Sequence, residues 1–136
     1  MWRFQQATGK LLDPDGNVKA IGYSGRQPDG KNKPEMQSVH NIGPIPCGVY
    51  RIGSPIDTMT HGPFVLPLSP DVANQMFGRD GFLIHGDSVV HPGTASEGCL
   101  ILSRDVRESI ASSSDNHLEV TSGIYRAPDT DGEIAT

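Results

Sequence analysis

Along the first half of the chain, short apolar or aromatic stretches alternate with clusters of glycine, proline and asparagine. Trp2 to Gln6, Lys10 to Leu12, Val18 to Tyr23 and Val49 to Ile52 carry β-branched or aromatic residues between such breaks, the pattern of short strands in a meander. Between Leu12 and Val18, Pro14 presets φ and Gly16 tolerates positive φ, so the chain is expected to reverse there in a hairpin. Gly25 to Met36 has no apolar period and reads as a long polar loop, a kind of segment that in a compact domain often carries function. In the second half, Phe64 to Leu68, Gly81 to His85 and Cys99 to Leu102 read as strands destined for the core. Ser103 is placed to cap a short helix with Asp105 in its first turn and Val106 and Ile110 on one face, ending by Ser114. Leu118 to Thr121 reads as a last strand. Residues 126–136 are too polar to bury much and are expected to form a mobile tail behind a domain spanning 1–125.

A length of 136 residues corresponds to one domain at roughly 100 to 200 residues each, and no linker or internal repeat divides it. Glycine (16) and proline (11) together exceed the average share of roughly 12 per cent, which fits a turn-rich, mainly β domain. Eleven Lys and Arg against 16 Asp and Glu give a net charge of −5, no footprint for a polyanion, so a nucleic-acid partner is excluded. No apolar run approaches the ~18 residues that cross a bilayer, because stretches such as Phe64 to Leu66 meet a proline within a few residues. Met1 to Gln6 lacks a basic segment followed by an apolar one, so synthesis in the cytoplasm without a Sec signal is expected. A monomer is expected. Two cysteines, Cys47 and Cys99, are too few for a disulfide scaffold, which draws attention to reactivity.

Nucleophile and base candidates concentrate between Ile84 and Cys99. His85 ends one apolar run and Cys99 begins the next, with 13 residues between them (86–98), so adjacent strands would bring both side chains to one sheet edge. A thiol is mostly protonated at neutral pH, and a neighbouring imidazole can take its proton. Gly98, without a Cβ, would let backbone N–H groups around residues 98 and 99 approach a developing oxyanion. The same residues admit other readings. His85, Asp87 and His91 could surround a metal in a hydrolytic site, although their spacing fits no established motif. Cys99 before Leu100 could also be a small buried hydrophobe, leaving a binding module without catalysis. His40, His61 and His117 lack acidic or cysteine neighbours at ligand spacing and read as structural. Cys47, between Pro46 and Gly48, reads as a packed turn residue.

The stretch from His85-Gly86 to Ser96-Glu97-Gly98-Cys99, preceded by Gly43 to Ile52, resembles the L,D-transpeptidase (YkuD-like) catalytic domain. That family carries a histidine-glycine pair, a loop and a Ser-His-Gly-Cys-type motif. Gly22 to Gly25, Asn32, Gly43 to Pro46, Phe77-Gly78-Arg79 and Ser96 to Cys99 are more narrowly similar to the type VI secretion L,D-transpeptidase effectors, which bacteria inject into competitors. The resemblance runs from about Phe4 to Ile110. It departs at Glu97, which stands in place of the motif histidine, at the shortened loop after His85, and at Ile101, where Arg or Asn commonly follows the cysteine.

The resemblance implies an L,D-transpeptidase-like β-sandwich with a short helix near the catalytic cysteine. It implies Cys99 as nucleophile, His85 as base, Ser96 as a loop hydrogen-bonding residue and Gly98 for close backbone approach. Tyr23, Asn32, Arg79, Gly86 and Glu97 become candidate substrate-binding residues. The implied activity is cysteine-dependent transpeptidation, carboxypeptidation or D-amino acid exchange on peptidoglycan stem peptides, with no metal or organic cofactor. The implied setting is the periplasm of a target cell, with a cognate immunity protein as partner.

Overall fold

The computed structural model describes residues 1–124; the tail expected to be mobile (126–136) lies outside them. Among the described residues, ten strands and one short α-helix make the fold mainly β, as expected. Strand β1 (Trp2–Gln5) alternates buried Trp2 and Phe4 with exposed Arg3, the period-two pattern of a strand with one face on a core. A turn through Gly9 (φ 75°) leads to β2 (Lys10–Leu12), and the expected hairpin then leads to β3 (Val18–Ile21). Asp13 builds that hairpin. Its Oδ1 accepts the Asp15 and Asn17 amides, both at 3.0 Å, while Gly16 takes φ 88°.

The strand expected over Val18 to Tyr23 is cut at Gly22 into β3 and β4 (Tyr23–Ser24). β3 pairs with β2, whereas β4 pairs with β9 (Leu100–Ile101), so Gly22 is where the chain crosses between two parts of the sheet. A Cβ at Gly22 would stand 2.2 Å from the Ile101 carbonyl oxygen, so only glycine permits the crossing. The polar loop after β4 forms no strand. It includes one 3₁₀ turn (Pro34–Met36) and returns through Gly43 and Pro44 to β5 (Gly48–Ile52).

A strand absent from the sequence reading, β6 (Ile56–Thr58), hairpins onto β7 (Gly62–Pro70); its residues face solvent, so no hydrophobic alternation marks it. The remaining elements are β8 (Leu83–His85), β9, α1 (Arg104–Ser112) and β10 (His117–Thr121). The strand order is β3-β2-β1-β10-β5-β7-β8-β9-β4, with β6 on β7. β7 serves both halves, pairing with β5 through Leu68 to Pro70 and with β8 through Leu66 and Pro67. One cluster holds Phe4, Tyr50 and Leu118 from the β1–β10–β5 side of the sheet together with Ile84, Leu100 and Phe82 from the β8–β9 side, so the two sides enclose a common core.

In α1, Val106 and Ile110 are buried as the spacing predicts, and Arg107 joins them. Ser103 occupies the N-cap position, but its hydroxyl donates to Asp105 Oδ1 (2.7 Å) and accepts no amide of the first turn. Arg107 crosses from α1 to the β7 segment, its Nη1 donating to the Pro63 and Phe64 carbonyls at 3.0 and 2.8 Å.

Candidate active site

β8 and β9 run parallel and adjacent, with Ile84 opposite Leu100 and His85 opposite Ile101. Cys99 lies one residue before β9, in the step that the alternation assigns to the face carrying His85. Both residues line one cavity of about 290 Å³. The loop between them thus brings a thiol and an imidazole to one sheet edge.

The imidazole is held from two sides. Its Nδ1–H donates to the Gly86 carbonyl at 2.9 Å, which leaves Nε2 as the unprotonated nitrogen. The ring of His61 lies against it with centroids 4.6 Å apart and planes inclined by 49°. Burial lowers the His85 pKa, and the His61 and Arg107 charges push the same way, against the Gly86 carbonyl and Asp87. Burial raises the Cys99 thiol, against the Leu83 amide and the Arg79 guanidinium, while Glu97 adds to the rise. Both partners therefore rest uncharged at neutral pH, and ionising the thiol requires transfer of its proton.

The backbone around Cys99 is pinned by two buried serines. Ser96 Oγ accepts the amides of Gly25 (2.9 Å) and Gly98 (3.0 Å) and donates to the Cys99 carbonyl (2.6 Å). Ser24 Oγ accepts the Ile45 amide (2.9 Å) and donates to the Gly98 carbonyl (2.8 Å). Gly98, at φ 143°, has no room for a side chain: a Cβ would lie 2.5 Å from Arg79 Nη2 and 3.0 Å from the Phe82 ring. Its amide is engaged by Ser96, and Gly98 itself lines the cavity beside Cys99.

Arg79 is buried behind this loop. Nη1 donates to the Gln37 and Pro44 carbonyls (2.6 and 2.9 Å) and Nη2 to the Gly43 and Glu97 carbonyls (2.9 and 3.4 Å), so the guanidinium clamps main chain from three segments. Tyr23 closes the other side: its hydroxyl donates to Asp87 Oδ1 (2.6 Å) and accepts the Ala95 amide (2.9 Å). Lys31 Nζ stands 4.2 Å from the centre of the Tyr23 ring. Asn32, at φ 55°, accepts the Ser24 amide at Oδ1 (3.1 Å) and so supports the serine beneath Gly98. Glu97 is exposed and lines the cavity with Cys99.

Asp87 is the organiser of the loop after β8. Besides Tyr23 it accepts the Ser88 amide (2.8 Å) and the Gly93 amide at both oxygens (3.1 and 3.0 Å). Burial would raise its pKa, but these bonds and the Lys31 charge outweigh it, so the carboxylate is held below its ordinary value. Among the described residues no three His, Cys, Asp or Glu side chains come together as a ligand set, so His85, Asp87 and His91 do not form the metal cluster weighed from the sequence.

Two residues read as structural from the sequence line the Cys99 cavity: His40 and His61. No spacing rule could find them, because they reach the site from separate loops far from His85 in sequence. Cys47 lies elsewhere, donating from Sγ to Gln6 Oε1 at 3.3 Å, and both cysteines are free.

The family model of the Tlde1 domain matches residues 18–124. The chain belongs to the Tlde1 domain family. This is a type VI secretion effector family, and the match contains the whole site from Tyr23 to Cys99. It begins at β3, although β1 and β2, ahead of the matched Tlde1 region, contribute Trp2, Phe4 and Leu11 to the same core. No curated protein and no solved structure matches the chain. No helix among the described residues is long and apolar enough to cross a membrane.

Proposed function

We propose that this Tlde1-domain chain is a cysteine acyltransferase that acts on peptidoglycan tetrapeptide stems in the periplasm of a target cell. The observation that carries the reading is the shared cavity of Cys99 and His85, with His85 Nδ1 tied to a carbonyl so that Nε2 is the basic nitrogen. In the first step His85 takes the Cys99 proton, and the thiolate attacks the carbonyl of the third stem residue. The tetrahedral intermediate collapses with His85 returning the proton to the departing amine of D-alanine, which leaves a thioester on Cys99. Water, activated by the same imidazole, releases a tripeptide stem. A D-amino acid amine or a diaminopimelate amine would instead give exchange or a cross-link. The Cys99 amide is the donor this reading assigns to the oxyanion, because the Gly98 amide is engaged by Ser96.

Ser96, Asn32, Arg79 and Tyr23 act in this reading by fixing main chain around the nucleophile. Gly86 orients the base through its carbonyl, and exposed Glu97 meets the stem at the cavity mouth. An immunity protein is the antagonist that a producing cell would need. Incubation of the purified chain with disaccharide-tetrapeptide muropeptides, read by mass spectrometry, tests the activity. Loss of D-alanine and a trapped acyl adduct on Cys99 are expected; intact tetrapeptide after incubation with folded protein would overturn it.

A further inference from the structure

His61 sits in the turn between β6 and β7, and His85 ends β8, yet their rings meet at 4.6 Å. Both rings line the cavity that holds Cys99, and both also line a second cavity shared with Asp87 and Ser88. The ring pair thus borders both cavities. His85 is 4 % exposed whereas His61 is open to solvent, so His61 is the cover over the base. Its own Nδ1 lies 2.9 Å from Thr60 Oγ1, which holds the cover in place. The single side-chain hydrogen bond of His85, to Gly86, fixes one ring edge but not the tilt about it.

We propose that His61 is a positioning residue that caps the His85 ring and sets the orientation in which it serves Cys99. The proposal rests on the cysteine acyltransferase reading for its consequence in turnover. The charged and titratable groups facing His85 are His61 from the β6–β7 turn, Arg107 from α1 and Asp87 from the loop after β8, while His40, Arg79, Asp80, Glu97 and Cys99 line the same cavity. Among these, His61 adds a like charge on protonation, which opposes charging of His85.

The test compares His61→Ala and His61→Phe with the parent chain in two measurements. The first is the pH profile of Cys99 alkylation by iodoacetamide, in a Cys47→Ala background, which needs no knowledge of the substrate. The second is kcat and KM on tetrapeptide muropeptides. His61→Ala is expected to lower kcat by roughly 10- to 100-fold, the scale of a misplaced catalytic group, with KM changed less than twofold. His61→Phe keeps a ring as cap and is expected to recover most of that loss. In both variants the acid limb of the alkylation profile should move to higher pH, because a charge that disfavours protonated His85 has gone. An unchanged profile and kcat in folded His61→Ala would overturn the proposal; so would a loss that His61→Phe fails to rescue. If the parent chain turns over no muropeptide, the peptidoglycan reading fails, and the role of His61 is then read from the Cys99 alkylation rate alone, which should fall in His61→Ala and recover in His61→Phe. Should His61→Ala unfold, His61→Gln, which likewise removes the ring, takes its place in both measurements.

Discussion

Ser96 and Cys99 are joined by a hydrogen bond of 2.6 Å from the serine hydroxyl to the cysteine carbonyl, and the same oxygen receives two amides. Ser96 is 1 % exposed, so water cannot replace it. Ser96→Ala leaves two amides and a carbonyl without partners, at about 1–3 kcal/mol for each buried group left unpaired. A lower urea midpoint with an unchanged m value is expected, together with a fall in kcat. Wild-type stability in this variant would remove Ser96 from its place as anchor of the nucleophile loop.

The two histidines of the β8–β9 connection should separate cleanly. His85 ends a core strand and lines the cavity. His91 is exposed, and the contacts there are made by its backbone, with the amide on Ser88 Oγ at 2.9 Å and the carbonyl facing Thr94. A general base contributes about 10²- to 10⁴-fold, so His85→Ala should lower kcat/KM by at least that lower bound while His91→Ala changes it little. A larger loss for His91→Ala would reassign the base.

Cys99→Ala should abolish turnover while the thermal midpoint stays close to that of the parent, because the change removes one heavy atom that borders a cavity. Cys47→Ala should retain activity. Titration of native, non-reduced protein with a thiol reagent should count two free thiols, as the structure has them. Excess EDTA should leave turnover unchanged; chelator inactivation would revive a metal-dependent reading.

The pH dependence follows from burial. His85 is held below its ordinary value of 6.5, so the acid limb of kcat/KM should lie below that pH. For stability the unfolded chain takes up this proton first as pH falls, so it binds more protons and the fold loses stability between the ordinary and the lowered value. Cys99, raised above its ordinary 9.0, acts at the other end: the unfolded thiol ionises first, and stability declines as pH rises past that value. Urea melts across pH on the parent and on His85→Gln check the acid side, where the variant should lose the steeper part of the dependence.

Tyr23→Phe removes the hydroxyl that ties Asp87 to Ala95, and with it the closure of the loop after β8. Faster amide exchange across residues 87–95 is expected, with the β-sheet amides unchanged. Exchange equal to the parent throughout that loop would show that Gly93 and Ser88 suffice to hold Asp87.

The chain's local patterns decided most of the strands, the Asp13–Asn17 hairpin, the buried face of α1 and the placement of His85 and Cys99 at the ends of two apolar runs. Each of these depends on short-range physics: period-two burial, a proline and a glycine in a tight turn, a helical i, i+4 pair, and two apolar runs joined by one loop. Where two strands meet in space was beyond such patterns. The split of the expected Val18 to Tyr23 strand at Gly22 exists because β4 must reach β9, a partner almost eighty residues away. β6 escaped notice because its residues face solvent and carry no hydrophobic period. The roles of Arg79, Tyr23 and Asn32 in bracing main chain, and the arrival of His40 and His61 at the cavity, likewise depend on long-range packing. Hydrogen bonds between distant segments leave no spacing in a sequence, so the closeness of Cys99 and His85 was legible from the chain, while what holds and covers them was decided by the tertiary fold.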